Sequence, residues 1–593
     1  MKKSLVRLFV VLGVLYLISI IVSLVIIAGP KGRVPAKTLL EADFENPLVE
    51  DIPESPSSQV MLQDRGVVRD VVDAIDRGAG DKRVVGLVVR IGATRMGMGQ
   101  AQELREAVLR FRAKNKFTIA FSETFGEFGP GNIAYYLSTA FDQVYLQPSG
   151  DVGLTGIMLE SPFLKGTLEK VGTKYHGDHR YEYKSALNLF TETKFTPAHR
   201  EEDQAIIDSW FSEMKEGICH GRQISPDQFQ SLVDHGPYLG KEAVDAKLVD
   251  KLAYRDEVYD LAKKKAGDGV QLLYLDKYLE RAGRPHSKGQ EIALVFGVGG
   301  VQRGKSDYNP VQGQLTMGSD TVTGAIRAAA QDKDVKAILF RVDSPGGSYV
   351  ASDAIWQEVV RARKAGKPVI VTMGDLAGSG GYFVAMTADK IVAQPGTITG
   401  SIGVLAGKLL TTGFWNKIGL TWDEVHDGAN ASMWTGLRDY SPAEWKRFQD
   451  WLDRIYADFT SKVAEGRHLP QDKVLQIAKG RIWSGQDAKN LGLIDELGGY
   501  DTALKLAKKA AGIPAEEEVK IVVFPKKKSL LQAILQREGP DNSDKAGVGQ
   551  AMVEVLQSIQ PLARQLKVTG ILDEGNGERG EEVLRMRVPE PGR

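Results

Sequence analysis

The sequence predicts an α/β protein, a tandem duplication of one βαβ domain behind an N-terminal transmembrane helix. Three observations carry this prediction. The chain matches itself at a spacing of about 250 residues. Within each copy, continuous apolar runs of strand length alternate with helical patterns, the order that builds parallel sheets. At the start, Leu8–Ala28 is an uncharged apolar run of 21 residues.

That first run is long enough to cross a hydrocarbon layer of about 30 Å as a helix. A cleaved leader has a shorter apolar stretch and small residues before its cleavage site, whereas Ile26 stands two positions before Ala28 here. Residues 1–35 are therefore expected to be an uncleaved anchor. Lys2, Lys3 and Arg7 precede the run and Lys31, Arg33 and Lys37 follow it, so charge alone leans only weakly towards an inward N-terminus.

The first copy, expected over 36–283, begins its clear pattern at Val84–Arg90, which resembles Val335–Arg341 of the second copy, expected over 284–525. Such unbroken apolar strands suit a parallel sheet covered on both faces. Helical faces follow, marked by Leu104, Val108 and Phe111 in one copy and Ile355 and Val359 in the other. A second buried strand comes next, Phe117–Phe121 against Pro368–Met373. Gly-rich turns then lead to Ala134–Leu137 and to a helical stretch from Tyr382 to Ala388, and both copies continue to a short strand ending in Gln-Pro, at Gln147 and Gln394. The polar linker Arg281–Gly289 divides the copies, and Gln302–Asp320 reads as an extended polar loop. Residues 526–593 form a tail with one short amphipathic helix around Leu530–Leu535 and a flexible remainder.

Composition narrows the class. Of 593 residues, 42% are hydrophobic and 26% charged, which excludes a disordered, collagenous or polytopic membrane chain. Seventy-six basic side chains balance 76 acidic ones, so no overall electrostatic footprint for nucleic acid exists. A single cysteine, Cys219, excludes a disulfide framework and any paired-cysteine metal or redox site. No phosphate-binding loop or metal-binding helix motif is present, and His176 and His179 lack an evident third ligand, so no cofactor or metal is expected.

The chemistry lies in two glycine-rich loops of the second copy. Asp343-Ser-Pro-Gly346-Gly347 follows one strand, and adjacent glycines there expose backbone N–H groups to an incoming oxyanion. Gly378-Ser379-Gly380-Gly381 follows the next strand, and a serine between glycines resembles a nucleophile on a sharp strand-to-helix turn, although Ala377 replaces the first glycine of that motif. Loops after successive strands lie side by side, so Gly346 N–H and Gly380 N–H can flank one oxyanion. Taken singly, these loops also suit a tight turn and a helix-capping serine.

Ser379 needs a base. His426, beside Asp427, is one candidate in its own copy. The repeat offers another. Aligning Tyr135 with Tyr382 puts Asn132 at the position of Ser379, and Ile91–Gly97 replaces the first glycine loop. Yet the first copy carries Tyr181-Glu-Tyr-Lys184-Ser-Ala, where matching Phe195-Thr-Pro197 to Tyr440-Ser-Pro442 sets Lys184 against Ala429. One copy keeps the serine and the other a lysine, as a single composite site would require.

In combination, the duplicated halves, Asp343–Gly347, Gly378–Tyr382, Tyr183–Ala186 and Thr399-Gly-Ser401-Ile-Gly-Val resemble the signal peptide peptidase A (protease IV) family in its long, duplicated form, over roughly residues 38 to 525. The resemblance implies a Clp/crotonase-like fold and a serine endopeptidase that hydrolyses remnant signal peptides and other apolar or unfolded chains. It implies Ser379 as nucleophile, Lys184 as general base, Gly346 and Gly380 as the oxyanion hole, and Ser401 as the residue that orients the lysine. It further implies a homotetrameric bowl on the outer face of the bacterial inner membrane, with the N-terminus in the cytoplasm and the catalytic part in the periplasm. A lysine working near neutrality must lose about 3 pKa units, which desolvation can supply. Glu182 would oppose this if its carboxylate turned towards the amine. Two rivals make different predictions. An acyl-CoA enzyme would use the same amides for an enolate but needs no serine. A non-catalytic membrane scaffold would leave Ser379 and Lys184 apart, or Lys184 paired with Glu182.

Overall fold

The computed structural model describes residues 32–92, 96–309 and 313–526. The expected transmembrane run and the amphipathic helix of the tail lie outside these residues. Among the described residues, no helix is long and apolar enough to cross a membrane.

The fold is α/β with two large sheets. In the first, Lys251–Leu252, Gln143–Leu146, Phe117–Ser122, Val84–Ile91, Thr38–Phe44 and Gln271–Tyr274 lie side by side, all pairs parallel. In the second, Glu496–Leu497, Lys390–Ala393, Val369–Gly378, Val335–Ser344, Gln290–Val298 and Val519–Phe524 follow the same order with parallel pairing. The likeness extends to single bonds. Tyr135 donates its hydroxyl hydrogen to Leu248 O at 2.7 Å, and Tyr382 does so to Leu493 O at 2.8 Å. Asp250 accepts from Val144 N–H and pairs with Arg222; Asp495 accepts from Ile391 N–H and pairs with Arg467. Two 26-residue helices, Pro197–Arg222 and Pro442–Arg467, each begin with a hydroxyl cap and a proline in the first turn.

The apolar runs become the central strands because both faces are covered. Leu87, Val88 and Val89 are buried, as are Ile338, Leu339 and Phe340. Helices Met98–Arg112 and Tyr349–Lys364 bury Leu104, Val108 and Phe111, and Ile355 and Val359, against these sheets.

Two expectations about local structure are corrected. The stretch 302–320 is not merely a loop: Asp307–Asn309 and Gln314–Gly318 join Gly300–Gln302 in a small sheet. Thr316 Oγ1 bonds both the N–H and the carbonyl of Asp307, and Met317 is fully buried, so polar side chains support a structure that composition alone reads as loop. The helix expected from Tyr382 to Ala388 spans only Gly380–Phe383. Asp389 ends it by bonding Val369 through both its backbone N–H and its carboxylate, which draws the chain into the next strand. The segment that carries Lys184 turns at Tyr181 (φ 66°) and enters a 3-10 turn, Ser185–Leu187.

The halves are joined along two seams. Lys174–His179 of the first pairs antiparallel with Leu405–Leu410 of the second. Beneath them, Arg341 is fully buried and makes two bonds to Glu50 at 2.9 Å each and one to Glu103 at 2.8 Å. Its remaining hydrogens go to Thr372 Oγ1 and Met373 O, and its guanidinium lies 4.5 Å from the Tyr500 ring centre. A buried cation is tolerable only when paired and fully bonded, so this cluster ties the relative placement of the halves to one arginine.

Candidate active site

The end of strand Val369–Gly378 carries Ser379 at φ 53°, ψ −117°, a conformation costly for a residue with a Cβ. Neighbours enforce it. Ser379 N–H donates to Gly400 O at 2.9 Å, and its carbonyl accepts from Phe383 N–H at 2.9 Å. The flanking glycines are required by close approach, since a Cβ on Gly380 would stand 2.6 Å from Ser352 Oγ and one on Gly381 2.6 Å from Ser344 O. The side chain is thus presented on a turn that backbone strain and packing hold in one position.

Strand Ile398–Gly400 runs parallel beside the end of the same strand, with Gly378 opposite Gly400. This register sets Ser401 next to Ser379. Ser401 is itself at φ 50°, held by its N–H on Arg481 O at 2.7 Å.

Lys184 arrives from the other half. Tyr183 N–H donates to Lys479 O at 3.2 Å, and the backbone of Lys184 packs so tightly on Gly480 that a Cβ there would stand 2.6 Å from Lys184 N. From this anchor the ammonium nitrogen reaches Ser379 Oγ at 3.2 Å and Ser401 Oγ and Ser401 O at 2.8 Å each. The side chain is 6% exposed. Burial lowers its pKa from the ordinary 10.5 to about 8, a smaller drop than the sequence argument asked for, because the Glu202 carboxylate pulls the other way. Glu182 does not interfere, since it bonds Lys479 at 3.2 Å.

Gly346 lies beside the serine: a Cβ on it would meet Ser379 Cβ at 2.7 Å and Gly380 N at 2.6 Å. Its own N–H, however, donates to Ser344 Oγ at 3.1 Å. Among the described residues, the N–H groups of Gly347 and Gly380 have no hydrogen-bond partner, and Gly347 N stands 3.1 Å from the position of a Gly380 Cβ. The two expected loops therefore converge, but the amide available beside Gly380 is that of Gly347, because the expected Gly346 N–H is taken by Ser344 Oγ. Sequence reasoning missed Gly347 because Gly346 and Gly347 are indistinguishable as letters; only the Ser344 side chain separates their roles.

The other candidates sit elsewhere. His426 is on an exposed loop, 3.7 Å from Glu424. His176 bonds Asp439, and His179 bonds Tyr181 O. Among the described residues no cluster could hold a metal ion. In the first half, Asn132 occupies the place of the serine but is locked, accepting from Thr155 N–H and donating to Gly156 O.

Several buried charges around the loops escaped the sequence reading. Burial raises Asp343 to about 7, with Glu50 and Asp375 adding to it, and burial raises Asp375 to about 6. Asp343 accepts from Leu376 N–H at 2.9 Å and Asp375 from Gln100 N–H at 2.7 Å, so the pair ties both glycine loops to the first half. The available signal was a charge inside an apolar strand, Arg341, which was read only as the strand's end.

The chain matches the model of peptidase family S49 over residues 129–268 and 361–514, which contain Lys184 and Ser379 respectively. It is 33% identical to Protease 4 of Salmonella typhi over 462 residues, covering 74% of this chain and 72% of that one. Against Protease 4 of Haemophilus influenzae it is 30% identical over 541 residues, 86% of this chain and 84% of that one. Against the chloroplastic serine protease SPPA of Arabidopsis thaliana it is 28% identical over 501 residues, 83% of this chain and 71% of that one. With two relatives at this identity over most of their length, the chain belongs to peptidase family S49 and is a serine peptidase of the SppA type.

Proposed function

We propose that the protein is a membrane-anchored endopeptidase that hydrolyses remnant signal peptides and other apolar or unfolded chains through a Ser379–Lys184 dyad built from both halves. The observation that carries this reading is the 3.2 Å approach of a buried lysine to a strained serine. Neutral Lys184 takes the proton of Ser379 Oγ as the oxygen attacks the peptide carbonyl. The oxyanion is received by Gly380 N–H and the turn at Gly346 and Gly347. The ammonium then protonates the leaving amine; water attacking the acyl-serine gives a proton to the now neutral Lys184, which passes it to Ser379 Oγ as the acyl–oxygen bond breaks and the carboxylic product leaves. Ser401, through two contacts to the same nitrogen, aims the lysine.

The apolar run Leu8–Ala28 supports an anchor that holds the catalytic part at the periplasmic face of the inner membrane, where released leader helices accumulate. The homotetramer rests on the family resemblance alone. No residue calls for a cofactor. The scaffold alternative expected Lys184 apart from Ser379 or paired with Glu182; neither arrangement occurs.

The test is hydrolysis of a quenched apolar peptide and of a cleaved leader peptide by the parent and by Ser379→Ala and Lys184→Ala. Loss in both variants with intact folding supports the dyad. Full activity in Lys184→Ala refutes it.

A further inference from the structure

The dyad lysine does not stand alone. Helix Pro197–Arg222 directs two adjacent carboxylates at the segment that carries it. Glu201, on the exposed side, accepts from Tyr183 OH at 2.8 Å and pairs with Arg481 at 2.7 Å, which clamps the residue before Lys184 to the residue that holds Ser401. Glu202, on the inner side, is fully buried. Its Oε2 accepts from Ile482 N–H at 3.2 Å, and its Oε1 has no hydrogen-bond partner among the described residues. Ser185, the residue after Lys184, interacts with this carboxyl. A buried carboxyl oxygen without a partner is costly, and its retention beside a working amine calls for an explanation.

We propose that Glu202 is a positioning and tuning residue for Lys184, so that the base of the site is a coupled Glu202–Lys184 unit rather than a lone lysine. This inference rests on the dyad reading above and concerns what controls it.

The groups facing Glu202 are few. On its own helix, His199 stabilises its charge and Asp203 opposes it; across from it stand Ser185, the Ile482 N–H and Lys184. Arg481, the nearby cation on the strand side, is committed to Glu201. Burial raises Glu202 to about 7, and Glu202 in turn is the charge that holds Lys184 up at about 8. The two ionisations fall near each other, so the charge on Glu202 changes over the pH range in which Lys184 gives up its proton. The arrangement has a chemical use. When Lys184 takes the serine proton, the new ammonium forms beside a carboxylate, which stabilises the charge developing in the transition state. The cost is that more of the lysine is protonated between about pH 7 and 8, where Glu202 is already charged.

The experiment compares kcat/KM for an apolar peptide from pH 5.5 to 10 in the full-length parent, Glu202→Gln, Glu202→Asp and Lys184→Ala. The amide keeps the shape and the bond to Ile482 N–H but carries no charge. The expected Glu202→Gln profile has its rising limb at least half a pH unit lower, about threefold faster than the parent near pH 7.5 and converging with it at pH 5.5, where Glu202 is itself protonated. On the plateau it is several-fold slower, so the two curves cross. Glu202→Asp keeps the charge and stays closer to the parent limb. The parent's own limb is broader than a single ionisation, a readout that needs no variant to fold. A Glu202→Gln limb that is unmoved or raised, or an equal loss at every pH in both Glu202 variants, overturns the inference and leaves the dyad standing. Activity retained in Lys184→Ala overturns the dyad itself.

Discussion

Replacing Lys184 by methionine should make the protein more stable while abolishing its activity. The lysine stands at about 8 instead of 10.5, a gap of 2.5 units. At about 1.36 kcal/mol per unit this is an upper figure of about 3.4 kcal/mol by which the protonated lysine disfavours the fold. Its three contacts with Ser379 and Ser401 are lost on substitution, at about 1 kcal/mol each, although both hydroxyls can bond anew. Methionine fills the channel without a charge, so the net expectation is about 1–2 kcal/mol of stabilisation at pH 7. The pH dependence identifies the cause. The lowered pKa penalises the native state fully below pH 8, progressively less between 8 and 10.5, and not at all above. The advantage of methionine should therefore hold up to about pH 8, vanish near pH 9, and become a deficit of about 1–2 kcal/mol by pH 10.5, where only the lost contacts remain. Thermal unfolding of Ser379→Ala against Ser379→Ala/Lys184→Met, both inert to self-cleavage, measures this at pH 6.5, 8 and 10. A double variant destabilised at pH 6.5, or a difference that ignores pH, would refute the argument that burial of this cation is what lowers its pKa.

Other consequences follow from the neighbouring groups. Ser401→Ala removes one of two contacts that aim the lysine and should lower kcat/KM about tenfold, with KM little changed; steady-state hydrolysis of the same peptide checks it. Arg341→Met leaves Glu50 and Glu103 buried without their cation and should destabilise by about 3–5 kcal/mol, read as a lower urea midpoint and earlier proteolysis between the halves. Asp343 is raised above its unfolded value, so its contribution to stability falls as pH rises from about 4 to about 7. Asp343→Asn keeps an oxygen for Leu376 N–H and should flatten that fall; urea unfolding at pH 5 and 8 measures it.

The parts legible in the sequence are those written in local pattern. Unbroken apolar runs announced the central strands, because a strand covered on both faces leaves no room for alternation. The unequal fate of Asn132 and Ser379, and of Lys184 and Ala429, pointed to one shared site, and the structure brings Lys184 and Ser379 together at 3.2 Å. What was not legible depends on long-range contacts. Nothing near Glu202 in sequence says that its carboxylate comes to accept from Ile482 N–H, 280 positions away, and Glu50 meets Arg341 across 291 positions. The choice between Gly346 and Gly347 hangs on the rotamer of Ser344. The small sheet over 300–318 was hidden because its strands are short and mostly polar, with only Val301 and Met317 reaching the core while strand pairing supports the rest.

The central claim is that Ser379 is a nucleophile activated by a neutral lysine from the opposite half. Labelling by a fluorophosphonate, with the modified peptide identified by mass spectrometry and the rate followed from pH 6 to 10, tests it most directly. The account predicts a single adduct on Ser379, a rate that rises through an ionisation near pH 8, and no labelling in Lys184→Ala. An adduct on another serine, or a Lys184→Ala variant labelled at the parent's rate, would contradict it.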